Sequence, residues 1–378
     1  SRERLGLNEE WVLEIEGLPY PGNGHLLATV ERQQADGQSE PYQAVALFES
    51  LGKQLVPEFS LGDDDNESNC PASAVHHIAQ MVQGLPLGIE LAASWLRTLN
   101  CTEIATEIEN SLDFLSSTMH DLPSRHRSMR AVFTSSWQLL DRQEQQTLRR
   151  LSVFHGPFDH PAATAVTGTS LATLSTLVDH SLLHRQSTQK LTQTTGRYEL
   201  LDVLRQYASE QLERHGDEAA KIQERHATFY LGFLNQQQEV LRGSDQHTAI
   251  VAISQNIKQF RSAWRCAVQH QDISGLSNAL DSLGLFYYMR SWFTEGAELF
   301  SLATVELEPL RSEPDVKALW GRLRTRQGWF TFLLGEQEEG LTQLRESSAV
   351  LRVGGDPLDL AFTLSFTAAA LAILGSYE

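Results

Sequence analysis

From Asp202 onward, every apolar pattern in the chain has the helical period, and none alternates as a half-buried strand would. A stretch of that length must be broken into several helices, and short turn-forming sequences recur within it. "MRSWFTEGAELFSLA" (289–303), "LLGEQEEGLTQLRES" (333–347) and "ILGSYE" (373–378) align at Ser291, Gly335 and Gly375, at spacings of 44 and 40 residues. Each places a tight turn between a helix ending on aromatic or aliphatic residues and a helix opening on Glu or Gly. Helix pairs repeating at about 34–45 residues stack into α-solenoids. An irregular helical bundle is the alternative for the same helices. Trp264, Trp292, Trp329, Phe286 and Phe330 are expected in the core of either arrangement, or along a concave partner groove.

Upstream of this region the pattern changes. The segment 122–154 reads as two helices separated at Asp141, followed by two short helices in "DHPAATAVTG" and "SLATLSTLVDHSLL". "LLHRQ" and "GRYELL" are short strand-like runs around a polar loop, 186–196. Helices followed by a β-hairpin make the pattern of a winged helix over about 124–203. Nearer the start, "WVLEIEGL" (11–18) alternates as a strand, and "YQAVALFESLGKQL" (42–55) reads as a helix.

Two helices meet at "GLPLGIELAASWLR" (84–97). Gly84 suits the left-handed closing position of the first helix, and Pro86 the first turn of the second. The second helix is apolar except for a narrow stripe of Glu90, Ser94 and Arg97, so it is expected to be largely buried. Leu85, Pro86 and Leu87 are then either junction packing or one wall of a site for a flat apolar group.

The composition is that of a folded protein, with 41% hydrophobic and 21% charged residues. A formal net charge of −18 argues against broad nucleic-acid binding, which needs clustered Lys and Arg, and leaves room only for a small local basic face. Cys70, Cys101 and Cys266 are scattered, with no CxxC spacing, and read as separate thiols of a reducing compartment without a zinc site. No apolar run approaches the roughly 20 residues of a membrane span, and no signal peptide is seen, so a cytoplasmic location is expected. The opening "SRERLGL" and closing "AILGSYE" read as cut ends of an internal piece of a longer protein. His76 and His77 are adjacent and cannot share a helix face as metal ligands do at a spacing of four.

The order of "SRERL", "EWVLEIEGLPYP", "GLPLGIELAASWLR", "RHRSMRAVFTSSWQLL", "LRRLSVFHGPFD", "LVDHSLLHR" and "RYELLDVLRQYASEQL" resembles the C-terminal part of the nucleotide-binding module of STAND-class signalling ATPases. More narrowly, it is similar to NB-ARC-like bacterial regulators in which that module precedes tetratricopeptide-type repeats. The likeness covers about residues 1–270. It implies a mainly α chain: residues 1–55 the end of an α/β P-loop NTPase core, 56–122 a helical lid with the GLPL motif, 123–205 a winged helix, and 206–378 TPR-like repeats.

The same resemblance implies ATP or ADP as cofactor, with Mg²⁺ in the full-length parent. Arg2 matches the sensor arginine, whose forked guanidinium suits a terminal phosphate. Leu85, Pro86 and Leu87 would line the base and sugar. In the winged helix the family's Met-His-Asp pattern stands here as Leu200-Leu201-Asp202. Asp202 matches, as a site residue or as a plain helix N-cap. Leu201 cannot donate a hydrogen bond, so either the inactive state is held differently or the winged helix reaches nucleotide through another group, with Arg125, His126 and Arg127 as candidates. No G-x-x-x-x-G-K-[ST] occurs; "LGKQ" (51–54) lacks the first glycine and the hydroxyl, so this piece alone is not expected to hydrolyse nucleotide.

These features give a nucleotide-controlled switch of a bacterial transcriptional or signalling regulator, its repeats receiving a protein or small-molecule signal. Self-association would accompany activation, and DNA would be reached only through an output domain outside this chain. The alternative is a non-catalytic TPR-type interaction scaffold with a degenerate ATPase module. DNA binding by the hairpin itself would rest on Arg185, Lys190 and Arg197 alone.

Overall fold

The structure, a computed structural model, describes residues 17–21, 42–56, 59–62, 70–116, 128–186 and 196–375. These form two compact units. One gathers the described residues up to Ser152 with Thr167–Gly216; the other gathers Val153–Val166 with Asp217 and the residues after it. The chain is mainly α-helical in both. Of the expected strand at 11–18 only Gly17 and Leu18 are described, and they lie in a loop.

The first unit begins with α1 (Gln43–Leu55), which buries Ala44, Val45, Phe48 and Gly52. The next helices are α2 (Ala72–Met81), α3 (Pro86–Ala93) and α4 (Cys101–Asn110). Helix α3 buries Gly88, Ile89, Leu91, Ala92 and Ala93, as its apolar circumference requires, and tightens into a 3-10 turn over Ser94–Arg97. Asn100 and Glu103 close a capping box at the start of α4. Trp95 stacks on Phe114 with ring centroids 4.6 Å apart, and its Nε1–H donates to the Phe114 carbonyl at 2.9 Å.

One expectation is corrected here. Cys70 and Cys101 are joined in a disulfide, their Cα atoms 5.1 Å apart and both side chains buried, leaving Cys266 as the free thiol. The spacing of 31 residues matches no metal or redox motif, so only the fold reveals the pair. The cysteine count therefore no longer argues for a reducing compartment.

Asp141 caps a helix, with Glu144 as its capping-box partner, and so separates α5 (Met129–Leu139) from α6 (Arg142–Leu151). The two-residue strand β1 (Phe158–Asp159) and nearly all of helix α7 (His160–Thr167) belong to the second unit, and α8 (Leu171–Asp179) to the first. Strands β2 (His184–Gln186) and β3 (Arg197–Glu199) then pair antiparallel, with Arg185 opposite Tyr198. Helix α9 (Asp202–Glu213) closes the unit, seating Tyr207 against Phe133 and Trp137.

The second unit continues with α10 (Gly216–Arg242), α11 (Gln246–Gln255), α12 (Ile257–Gln269), α13 (Ile273–Met289), α14 (Phe293–Leu307), α15 (Pro314–Leu333), α16 (Gln337–Gly354) and α17 (Pro357–Ile373). From α12 on, each helix packs on the next. α12 also meets α14, α13 meets α15 and α15 meets α17, the neighbour-but-one pairing of a stacked array. The three aligned positions Ser291, Gly335 and Gly375 all adopt left-handed backbone, with φ of 55°, 98° and 72°. Gln271, at φ 55°, makes the same turn between α12 and α13 without a glycine to announce it. Trp264, Phe286 and Phe330 are buried, with Phe300 bridging Trp264 and Phe330. A Cβ on Gly340 would stand 2.7 Å from the Gly328 carbonyl oxygen, so α15 and α16 approach nearly backbone to backbone.

Within this unit Gln259 holds a buried polar knot. Its Oε1 accepts the His155 backbone N–H at 3.1 Å and lies 2.9 Å from His226 Nε2, while its Nε2 donates to the Gly156 carbonyl at 3.2 Å. Burial lowers the His226 pKa to about 4, against a smaller opposing effect of the Gln259 hydrogen bond. The unfolded chain binds the proton more readily, with a pKa near 6.5. Stability should therefore rise with pH between about 4 and 6.5. We expect a loss of about 3 kcal/mol between pH 7 and pH 4 from this residue. Urea unfolding of the second unit at both pH values measures it, and His226→Gln should flatten that part of the profile.

Candidate functional site

The GLPL elbow is built from two consecutive left-handed residues. Gln83 has φ 50° and Gly84 φ 68°, and the Gly84 N–H donates back to the Ala79 carbonyl at 3.0 Å, closing α2. The chain then turns directly into α3, with Pro86 in its first turn, where a missing N–H costs nothing.

Against this turn lies the loop Gly17–Pro21. The Leu18 N–H donates to the Gly84 carbonyl at 2.8 Å. A Cβ on Gly84 would stand 2.0 Å from the Leu18 carbonyl oxygen, and one on Gly17 would stand 2.4 Å from the Gln83 carbonyl oxygen. Two glycines thus allow two backbones to cross in contact. Gln80 Nε2 donates to the Pro21 carbonyl at 2.9 Å, and the Ala44 N–H to the Pro19 carbonyl at 3.0 Å, so the loop is tied to both α2 and α1.

Of the residues expected to contact nucleotide, Leu85 and Leu87 are half-buried and Pro86 is exposed. Together they form a partly exposed apolar edge at the start of α3. Asp202 is brought to the same elbow through Gln83, whose Oε1 accepts the Asp202 backbone N–H at 3.2 Å. Asp202 is the first residue of α9, not its N-cap; that position belongs to Leu201, which offers no side-chain cap. The Asp202 carboxylate faces Arg205 Nε at 3.4 Å. Arg2, Arg125, His126, Arg127 and Lys190 lie outside the described residues.

Helix α9 makes two further polar contacts on the same stripe, to the end of α4 and to α5. Gln206 Nε2 donates to the Ile108 carbonyl at 3.5 Å, and Glu210 takes Arg130 in a forked pair at 2.5 and 2.7 Å. Arg130 also pairs with Asp113, and the bond to Glu210 is the main influence holding its guanidinium protonated. Gln206 and Glu210 are four residues apart and so share one polar face of α9. The opposite face, with Val203, Leu204, Tyr207 and Leu212, is buried. Gln83 and Gly17 were not anticipated from the sequence. Their one visible signal is the repeated Gly-Leu-Pro at 17–19 and 84–86.

Among the described residues no group of three His, Cys, Asp or Glu is placed to hold a metal ion, and no helix is long and apolar enough to cross a membrane. The described elbow fits the base side of a purine nucleotide in part. It offers a partly exposed apolar edge and fixed backbone carbonyls, and Arg205, the cation beside Asp202, is already paired with it.

A family model described as a winged helix-turn-helix domain matches residues 140–213, so this segment is a winged helix. Over 334 residues the chain is 27% identical to the Mycobacterium bovis protein named "Putative HTH-type transcriptional regulator Mb0914c", covering 85% of this chain and 36% of that relative. It is 28% identical over 189 residues to "Uncharacterized protein Rv0894" of Mycobacterium tuberculosis, covering 47% of this chain and 45% of that one. The chain thus spans less than half the length of these curated relatives. Among solved structures, a STAND protein with a tetratricopeptide repeat sensor, PH0952 from Pyrococcus horikoshii, aligns over 89% of this chain and 51% of its own. Its identity is 12% and its TM-score 0.22, too low to inform the arrangement of this chain. The winged helix and the regulator relatives agree with the likeness to STAND-class regulators.

The crossing makes a sharp expectation. Gly84→Ala must tolerate positive φ and also displace the Leu18 backbone, whereas Gly168→Ala, at φ 74° with nothing within 4 Å of its Cβ, meets only the first cost. We expect Gly168→Ala to destabilise the first unit by about 1 kcal/mol and Gly84→Ala by about 3 kcal/mol or more. Denaturant unfolding of the two variants compares them directly.

Proposed function

We propose that this chain is the lid, winged-helix and signal-receiving part of a nucleotide-controlled transcriptional or signalling regulator. The observation that carries the reading is the elbow itself. Its Leu85–Leu87 edge is partly exposed, its backbone is fixed by the Gly17–Gly84 crossing, and Gln83 joins it to the first N–H of the winged helix's last helix. A group seated on that edge would touch the lid and bear on α9 at once. ATP or ADP is the cofactor proposed, with Leu85, Pro86 and Leu87 on the base side and Arg2 toward the phosphates. Mg²⁺ and the phosphate-binding loop would be supplied by the full-length protein. Nucleotide exchange would shift the balance between states only through its differential affinity for them.

The stacked helices of the second unit are proposed to take a ligand or protein signal, and self-association to follow release. Contact with DNA through the winged helix is disfavoured, although the relatives' name points to transcription. Helix α8 carries no Lys or Arg among "LATLSTLVD", and the described hairpin adds only Arg185 and Arg197. A location in the cytoplasm is part of the same proposal.

Leu201 favours a second reading, a non-catalytic interaction scaffold, because an apolar side chain stands where the family places a phosphate-reaching histidine. Equilibrium binding of ATP and ADP to the full-length protein separates the two. Under the switch, Arg2→Ala should weaken binding by about tenfold or more and Pro86→Glu should weaken it as well. Binding that neither change alters would remove the site assignment, and no nucleotide binding at all would leave the scaffold.

A further inference from the structure

Away from the elbow, the second unit contains a cavity of about 810 Å³ walled by α14, the 3-10 turn Glu308–Leu310, α15 and α16. That volume lies in the range of small-molecule sites. Trp320, 4% exposed, forms part of its wall. Its Nε1–H donates to the Thr304 carbonyl at 3.1 Å, which fixes the plane of the ring. Val305 and Val350 extend the apolar surface.

Three cations line the same space: Arg311, Lys317 and Arg324. The Arg311 and Arg324 guanidiniums lie 4.4 and 5.7 Å from the centre of the Trp320 ring. Each also has a carboxylate in the lining, Glu308 for Arg311 and Glu346 for Arg324, both at 2.8 Å. Lys317, half-buried in the first turn of α15, forms no ion pair with a described carboxylate. The lining therefore holds three cations against two anions, a local positive excess in a chain of net charge −18.

This combination selects among ligands. A cation would meet the unneutralised ammonium. A neutral apolar molecule would strip water from Lys317 with nothing in return. A bare inorganic anion would leave the Trp320 and Val305 surface unused. We propose that this cavity is a binding site for a small organic anion, a carboxylate carried on an apolar or aromatic body. The carboxylate sits on Lys317 and the body lies against Val305 and Pro309, reaching the small part of Trp320 that is open to the cavity. The assignment rests on the reading of the stacked helices as the signal-receiving part, and it gives that signal a chemical class.

The test is calorimetric titration of the 378-residue chain, without nucleotide, with salicylate, hexanoate and inorganic phosphate. One or both carboxylates should saturate at millimolar concentration, and phosphate should not. Lys317→Met should weaken carboxylate binding by about tenfold or more. Val305→Asp, at a position 65% exposed, should abolish it while circular dichroism and Tm stay unchanged. Lys221→Met, on α10, should leave it as it is. Absence of saturable binding by either carboxylate, binding that survives Lys317→Met unaltered, or phosphate binding as tight as the carboxylates' would each overturn the assignment. Because nucleotide takes no part, failure here removes the cavity and leaves the nucleotide reading to its own experiment.

Discussion

The backbone crossing of Leu18 with Gly84 is the contact on which the first unit is organised. It works because neither strand of the crossing carries a Cβ where they touch: Gly17 faces the Gln83 carbonyl and Gly84 faces the Leu18 carbonyl. With the two chains that close, the loop's remaining polar groups reach Gln80 on α2 and Ala44 on α1. One short loop is thus hydrogen-bonded to α1, to α2 and to the turn that leads into α3, alongside the apolar faces these helices bury. Any side chain at Gly84 would have to move a backbone, and backbone moves at a three-helix junction propagate.

The second unit depends on repetition. Left-handed turns at Gln271, Ser291, Gly335 and Gly375 return the chain, and buried aromatics from successive helices meet across the stack. A polar thread crosses the same helices. Asp281 on α13 pairs with Arg326 and Arg322 on α15, and Arg322 also reaches Asp359 on α17. Burial would raise the Asp281 pKa, but the two guanidiniums outweigh it and hold the carboxyl below its ordinary range. Such a network adds little net stability, yet breaking one partner leaves a buried charge exposed to its full desolvation cost, so it fixes register between helices.

Much of this was legible in the sequence, for identifiable reasons. The helix break at Asp141, and Gly84 with Pro86, are local signals whose geometry is decided within four residues, and both appear as expected. The repeat alignment worked because a tight helix-to-helix turn needs a left-handed residue, and glycine at 335 and 375 advertises it. Gln271 makes an equivalent turn with no such marker, so it could not be seen. Gln83 and the partnership of Gly17 with Gly84 were hidden because they join segments far apart in the chain. Asp202 was open to reading as a site residue or as an N-cap, and the second role fails because the helix starts one residue earlier than it requires. The cysteine pair was missed for the same reason: pairing is a property of distance in space, and a count of thiols contains none of it.

That pairing has a topological consequence for the elbow. Cys70 precedes α2 and Cys101 opens α4, so the bond closes a ring around α2, the Gly84 turn and α3, across 31 residues. Closing a loop of that length restricts the unfolded chain by about 4 kcal/mol on the chain-entropy account. It also changes what a break in the chain means there. A backbone cut inside the ring, at the exposed Pro86 for instance, leaves two fragments that cannot part until the disulfide is reduced. The segment with the most demanding backbone geometry is thus also covalently encircled.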